Sequence, residues 1–263
     1  MTPETTRPTL RIGGMVAQTD EFNLSEYAWT PPSGPTLPEL ILLYGSYGSG
    51  KTYCGLTASQ VEELSPMVVL DLEGSTTGVI DNFDQSKITI IRPKERWPGK
   101  EWAATCKVLD DLLTKPHGYK TVMVDPLNTM FEWGKVAGDK PGDGFAKWNF
   151  VHEKFTADGG YISRLKAAPF LAVLIVHDEQ TTGEDDGPKF ADFRWQGQGR
   201  AMLGQYPDLV GYITRDTNSA GVSTSTLMTA PTKRNNAKNR FGLPAKIVDP
   251  SLPKIYDMIK EDK

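Results

Sequence analysis

The chain has 263 residues, with 29 Lys and Arg against 33 Asp and Glu for a formal charge of −4, and that length suits one large α/β domain with additions. Its mild acidity excludes a protein that coats nucleic acid with its whole surface, while leaving room for a local basic path. Cys54 and Cys106 carry no metal-ligand spacing and fit buried thiols in a reducing compartment; the sequence shows neither a basic-and-apolar leader nor an apolar run near about 18 residues, so neither secretion nor a membrane span is expected.

Residues 1–9, rich in Thr and Pro, are expected as a loose tail, and the stretch to residue 37 as an appendage. Leu10-Arg11-Ile12 and Met15-Val16-Ala17 flank Gly13-Gly14 as in a small hairpin, while Tyr27 and Trp29 suit either stacking on a base or packing. The apolar run Leu40–Tyr44 reads as a strand and leads into Gly45, Ser46, Tyr47, Gly48, Ser49, Gly50, Lys51 and Thr52. This is G-x-x-x-x-G-K-[ST] with a strand before it and a helix-compatible stretch after it. Glycines let successive N–H groups face one anion, and the following helical turn adds donors and its positive dipole end. Lys51 then suits the β- and γ-phosphates of ATP, and the Thr52 hydroxyl suits Mg²⁺.

The helix from Lys51 is expected to run to about Leu64, ahead of Pro66. Met67–Asp71 is nearly all apolar, the pattern of a parallel strand covered on both faces. Beyond it, Glu73 suits a carboxylate that aligns water with the γ-phosphate, or a solvent-facing loop residue. Asp71 suits support of the site or a water-mediated contact to Mg²⁺. Ile88–Ile91 reads as a short strand, and Glu101–Leu113 as a helix with Trp102, Cys106, Leu109 and Leu113 on one side. Thr121–Asp125 is another buried-type strand. Its terminal Asp125, followed by Pro126, has the setting of a Walker B acid that orients hydrated Mg²⁺, or of a cap on a helix starting near Asn128.

Between Phe131 and Leu165, Trp133, Phe145, Trp148, Phe150, Phe155 and Tyr161 alternate with Gly-, Asp- and Lys-rich linkers. That mixture suits a platform for single-stranded nucleic acid or the packing of helices. Phe170–His177 is the strongest apolar strand, and His177 at its end suits a sensor of the γ-phosphate, or a hydrogen-bonded structural residue. The polar loop expected from Asp178 to about Gln205 is acidic through Glu184, Asp185 and Asp186. Its later half, Phe193-Arg194-Trp195-Gln196-Gly197-Gln198-Gly199-Arg200, suits phosphate binding. Leu209–Arg215 and Thr224–Ala230 read as a hairpin turning at Asn218–Gly221. Between Asp216 and Asp249 there is no acid, but Lys233, Arg234, Lys238, Arg240 and Lys246 occur. Lys238 and Arg240 suit a neighbouring subunit's phosphate site or the phosphates of DNA. Leu252–Ile259 offers a weak amphipathic helix in a C-terminal tail.

With these residues in view, the chain resembles the RecA-like ATPases, in particular small phage recombination ATPases related to the bacterial RadA/Sms branch. The resemblance rests on Gly45–Thr52, Glu73, Asp125, His177 and Lys238-Asn239-Arg240-Phe241-Gly242, over about residues 38–243. It implies an α/β fold: a RecA-like P-loop NTPase core at 38–243 with a mostly parallel central sheet and a C-terminal β-hairpin extension, flanked by the appendage at 1–37 and a tail at 244–263. It further implies ATP with Mg²⁺ held between protomers of a homo-oligomeric ring or filament, with Lys238 and Arg240 acting in trans. Single-stranded DNA would lie on loops facing the central axis, with a single-strand-binding protein as a further partner. The implied function is ATP-dependent single-stranded-DNA binding in recombination or strand annealing, in the cytoplasm of a bacterial or phage-infected cell. A small hexameric helicase or translocase shares the Lys-x-Arg element, and a nucleotide-gated loading module is the non-enzymatic alternative.

Overall fold

The computed structural model describes residues 37–181, 190–195, 203–233 and 235–261. In chain order the elements are β1 (Leu40–Gly45), α1 (Lys51–Leu56), β2 (Met67–Asp71), β3 (Ile88–Ile91), α2 (Pro93–Arg96), α3 (Glu101–Thr114), β4 (Thr121–Asp125) and α4 (Leu127–Gly138). There follow α5 (Ala146–Phe155), α6 (Tyr161–Lys166), β5 (Leu171–Thr181), β6 (Phe190–Phe193), β7 (Leu209–Thr217), β8 (Ser223–Met228), β9 (Lys238–Asn239), β10 (Lys246–Val248) and α7 (Leu252–Glu261).

The side-chain alternation of β1 sets the layers. Leu40, Leu42 and Tyr44 enter one core, with Leu109, Met130, Phe131, Phe155 and Ile162 from α3 to α6. Ile41 and Leu43 enter the other, with Cys54 and Leu56 from α1 and Ile255, Tyr256 and Ile259 from α7. A strand whose successive residues are all apolar needs cover on both faces, and β1 is buried throughout. The sheet order is β10-β8-β7-β1-β5-β4-β2-β3, with β6 added to β5 and β9 to β7. From β3 across to β7 neighbours run parallel, while β7, β8 and β10 pair antiparallel. This is the α/β, RecA-like core expected, an open and largely parallel sheet with a hairpin extension. The chain leaves β1 toward β2 on one side and later returns to β7 on the other, so a crevice opens at the carboxyl end of β1.

Several elements depart from the sequence pattern for local reasons. The helix expected to reach Leu64 is α-helical only to Leu56, and 3-10 turns at Thr57–Gln60 and Glu62–Leu64 complete the connection. Thr57 Oγ1 donates to the Cys54 carbonyl at 2.5 Å and Ser59 Oγ to that of Leu56 at 2.8 Å, and such side-chain bonds compete with the helical ladder. Strand β5 does not stop at His177 but runs on to Thr181 and pairs antiparallel with β6, Asp178 opposite Phe193, so the polar loop begins as a hairpin. Phe193 and Trp195 are buried, with Trp195 packed on Phe131 and Phe155 and Phe193 on Tyr44, so they anchor the segment and are not free to stack on bases. Among the other aromatics, Phe131, Phe155 and Tyr161 are in the core and Trp133, Trp148 and Phe150 pack against it; Phe145 is 75% exposed. Helix packing therefore accounts for all of these except Phe145. The C-terminal segment is integral, since β10 pairs with β8 and α7 buries Leu252, Ile255, Tyr256 and Ile259 at helical spacing. Tyr27, Trp29, Glu184, Asp185, Asp186, Gln196, Gln198, Arg200 and Arg234 lie outside the described residues.

Candidate active site

At the crevice, β1 hands the chain to the loop that precedes α1. Gly45 has φ 151°, and a Cβ there would fall 2.2 Å from the Ile213 carbonyl oxygen; Gly50, which starts α1, has φ 102°. Both positions demand glycine, and the loop is braced on either side. Ser46 Oγ donates to Asp178 Oδ2 at 2.9 Å, and Ser225 Oγ donates to the Ser49 carbonyl at 3.0 Å. Lys51 is buried, its Nζ donating to the carbonyls of Gly45 and Ser46 at 2.7 Å each. Burial lowers its pKa, opposed by the charges of Asp125, Asp178 and Glu73.

Thr52 Oγ1 and Ser75 Oγ both donate to Asp125 Oδ2, at 2.7 and 2.8 Å. Burial pushes the Asp125 carboxyl above its usual range and the Asp71 charge adds to this, while the Thr52 and Ser75 bonds oppose it. A hydroxyl and a carboxylate oxygen in contact at the mouth of a phosphate loop suit a hydrated Mg²⁺. Among the described residues no cluster of three or more His, Cys, Asp or Glu could hold a metal ion.

Asp71 stands level with Asp125 on adjacent strands, yet its bonds run elsewhere. Its Oδ1 accepts from Ser75 N at 2.8 Å and Ser75 Oγ at 3.2 Å; its Oδ2 accepts from Thr76 Oγ1 at 2.5 Å, Thr76 N at 3.3 Å and Arg92 Nε at 3.0 Å. This bonding fixes the turn after β2, and contact with Asp125 passes through Ser75.

Glu73 Oε1 accepts from Thr129 Oγ1, and Oε2 lies 3.4 Å from His177 Nε2. The His177 bond, with help from Thr129, holds the Glu73 carboxyl below its usual range despite partial burial. His177 lies level with Gly45, its ring 4.2 Å from that of Tyr47, and its amide donates to Asn128 Oδ1 at 2.6 Å. Asn128 Nδ2 in turn donates to the Arg194 carbonyl, and Arg194 N donates back to the His177 carbonyl at 2.9 Å. The Arg194 side chain reaches Tyr47 Oη at 3.4 Å. Glu73, His177, Asn128 and Arg194 thus form one network between the crevice and the base of the β5–β6 hairpin.

Lys238 and Arg240 are not brought into this crevice. Lys238 Nζ donates to the carbonyls of Gly204 and Gln205 at 3.3 and 2.6 Å, and Arg240 pairs with Asp208 at 3.1 Å. Asp208 N bonds the Leu40 carbonyl, which puts the pair at the amino end of β1, a strand's length from Gly45. Conversely, the cleft of about 770 Å³ is also lined by Tyr53, Gln60, Arg215, Ser225 and Asp249, which sequence reasoning missed as site residues. Arg215 and Ser225 read only as strand residues, and Asp249 only as the end of an acid-free tract.

A family model described as an AAA domain matches residues 38–241. The chain belongs to that AAA domain family. It is accordingly a nucleotide-binding, ATP-hydrolysing protein with a RecA-like core. No curated protein matches it. Among solved structures, the crystal structure of the RadB recombinase is similar at 14% identity and a TM-score of 0.45, covering 80% of this chain and 86% of that one. No helix among the described residues of this AAA-domain ATPase is long and apolar enough to cross a membrane.

Proposed function

We propose that this ATPase uses nucleotide turnover to control its grip on single-stranded DNA during recombination or strand annealing. The reading rests on the hydrogen-bonded connection from Glu73 through His177 and Asn128 to Arg194, because it ties the site of chemistry to an exposed cation at the base of the β5–β6 hairpin. Gly45–Thr52 take the triphosphate, with Lys51 exchanging its carbonyl partners for β- and γ-phosphate oxygens. Thr52 and Asp125 would hold Mg²⁺, which would supply positive charge to offset that of the phosphates. Glu73, steadied by Thr129 and His177, orients the attacking water. Departure of the γ-phosphoryl group alters the Glu73–His177 contact, and the change reaches Arg194 and the β5–β6 hairpin. Arg194 and Arg200 meet the DNA backbone, while Lys238 and Arg240 complete the site of the next protomer in a ring or filament. The resemblance to the RadA/Sms branch through Lys238–Gly242 supports the choice of DNA and of oligomer.

The test is ATP turnover with and without single-stranded DNA, with particle mass recorded in parallel. Stimulation by single strands in an assembly larger than a monomer is expected, with loss of turnover in a folded Lys51→Ala protein. Turnover indifferent to DNA would overturn the DNA-coupled reading in favour of a nucleotide-gated loading module. Displacement of a strand from a forked substrate would instead identify a helicase.

A further inference from the structure

The sheet order separates the two ends of the cleft. Strands β4 and β2, which carry Asp125 and lead to Glu73, lie on one side of β1, whereas β7, β8 and β10 lie on the other. A nucleotide whose γ-phosphate lies toward Glu73 must extend its sugar and base toward the β8–β10 side. There the strands place three residues side by side next to the phosphate loop. Arg215 pairs with Ser225 across β7 and β8, and Asp249 N donates to the Ser225 carbonyl at 2.8 Å. The Ser225 hydroxyl touches Ser49, and all three residues line the cleft.

Asp249 has φ 45°, and among the described residues it is the one non-glycine in the left-handed region. Such a conformation persists only where the surroundings impose it, and it concentrates at ligand sites. Here the surroundings are the β10 pairing before it, buried Pro250 after it, and Leu252 N on Thr57 Oγ1 at 2.8 Å. The Asp249 carboxylate and the Arg215 guanidinium are exposed in the cleft, with no hydrogen bond or ion pair to any described residue.

We infer that the C-terminal extension completes the nucleotide site within the same chain: Asp249 accepts a hydrogen bond from the nucleoside and sets nucleotide selectivity, and Arg215 supplies a cation at the α-phosphate end. A carboxylate repels phosphate, so its partner is a donor on the nucleoside, either a ribose hydroxyl or the exocyclic amine of adenine. The inference rests on the nucleotide assignment above.

The experiment is calorimetric titration of the full chain and Asp249→Gly with Mg²⁺ and each of ATP, 2′-deoxy-ATP, 3′-deoxy-ATP and purine riboside triphosphate. Glycine adopts φ 45° freely, so the carboxylate is deleted while the turn is kept, and the unfolding midpoint without nucleotide checks this. The Kd for ATP is expected to rise about 10-fold or more, as for a lost hydrogen bond to a charged acceptor. The analogue that lacks the recognised donor should bind both proteins equally, a deoxy form if the ribose is read and purine riboside if the amine is. Asp249→Asn, which keeps a neutral acceptor, should lose less on the same ligands. An unchanged ATP affinity, an equal loss for all the analogues, or a greater loss in Asp249→Asn than in Asp249→Gly overturns the inference. Failure of the unaltered chain to bind ATP, or ATP binding that survives Lys51→Ala, overturns the nucleotide assignment instead.

Discussion

Asp71→Asn separates support of the site from metal binding. The Asp71 side chain is fully buried and accepts from Ser75, Thr76 and Arg92, so one carboxylate fixes the turn after β2. The amide keeps an oxygen for Ser75 but turns an N–H₂ toward Thr76 and the Arg92 guanidinium. Stranding a buried charge costs about 3–5 kcal/mol, but Arg92 is 26% exposed and keeps Thr76, Thr77 and Glu95 as partners. The loss is therefore set by the weakened charged hydrogen bonds, about 2–3 kcal/mol. For a domain of this size that lowers the melting midpoint by about 4–12 °C, measurable by calorimetry. Turnover should fall modestly through loosening of Ser75 on Asp125, while the Mg²⁺ concentration for half-maximal rate stays within about 2-fold, well below the tenfold that 1.36 kcal/mol of lost metal binding would produce. An unchanged melting midpoint with a Mg²⁺ requirement raised tenfold or more would refute this reasoning and put Asp71 at the metal.

Glu73→Gln should keep nucleotide affinity while losing about 10²-fold or more in single-turnover hydrolysis, the range for a positioned base; loss of binding with unchanged chemistry would remove it from that role. Because the His177 bond is the main cause of the lowered Glu73 pKa, the carboxylate stays charged further into acid than a free one. In His177→Ala the acid-side fall of kcat should move to higher pH, and a shift to lower pH would contradict the pairing. Mixing Arg240→Ala with Lys51→Ala protomers, each inactive alone, should restore turnover at composite sites; mixed assemblies without turnover would rule out supply in trans.

Legibility in the sequence followed how local each signal was. The phosphate loop announced itself because Gly45 and Gly50 hold backbone angles that glycine alone tolerates easily, and because Lys51 and Thr52 follow in fixed spacing. Strands β1, β2 and β4 were equally plain, since cover on both faces leaves an unbroken apolar run, ended in β2 and β4 by Asp71 and Asp125. Early termination of α1 was less visible, as it depends on hydroxyls turning back on carbonyls, a choice that composition leaves open. The roles of Asn128, Ser225 and Asp249 were hidden altogether. Each depends on a partner distant in the chain, Ser225 touching Ser49 from 176 positions away.

Register joins these distant parts. Gly45 stands level with His177, and Asp71 with Asp125 a little short of them along the strands, so phosphate loop, His177 and acids gather at the carboxyl end of the sheet. A slip of one residue in β5 would exchange Val173 and Ile175 with Ala172, Leu174 and Val176 between the two cores and carry His177 away from Glu73. The amino end of the same sheet carries Lys238 and Arg240, tied down by Asp208 and the carbonyls of Gly204 and Gln205. With the cleft at one end and the cations at the other, a two-fold dimer that joins like ends pairs each surface with its own copy and leaves the cations no path into a cleft. A head-to-tail contact presents the amino end of one protomer to the carboxyl end of the next, and such contacts propagate into rings or filaments. Supply in trans fits such a heterologous assembly, and requires Arg240 to leave Asp208 for phosphate as each new protomer docks.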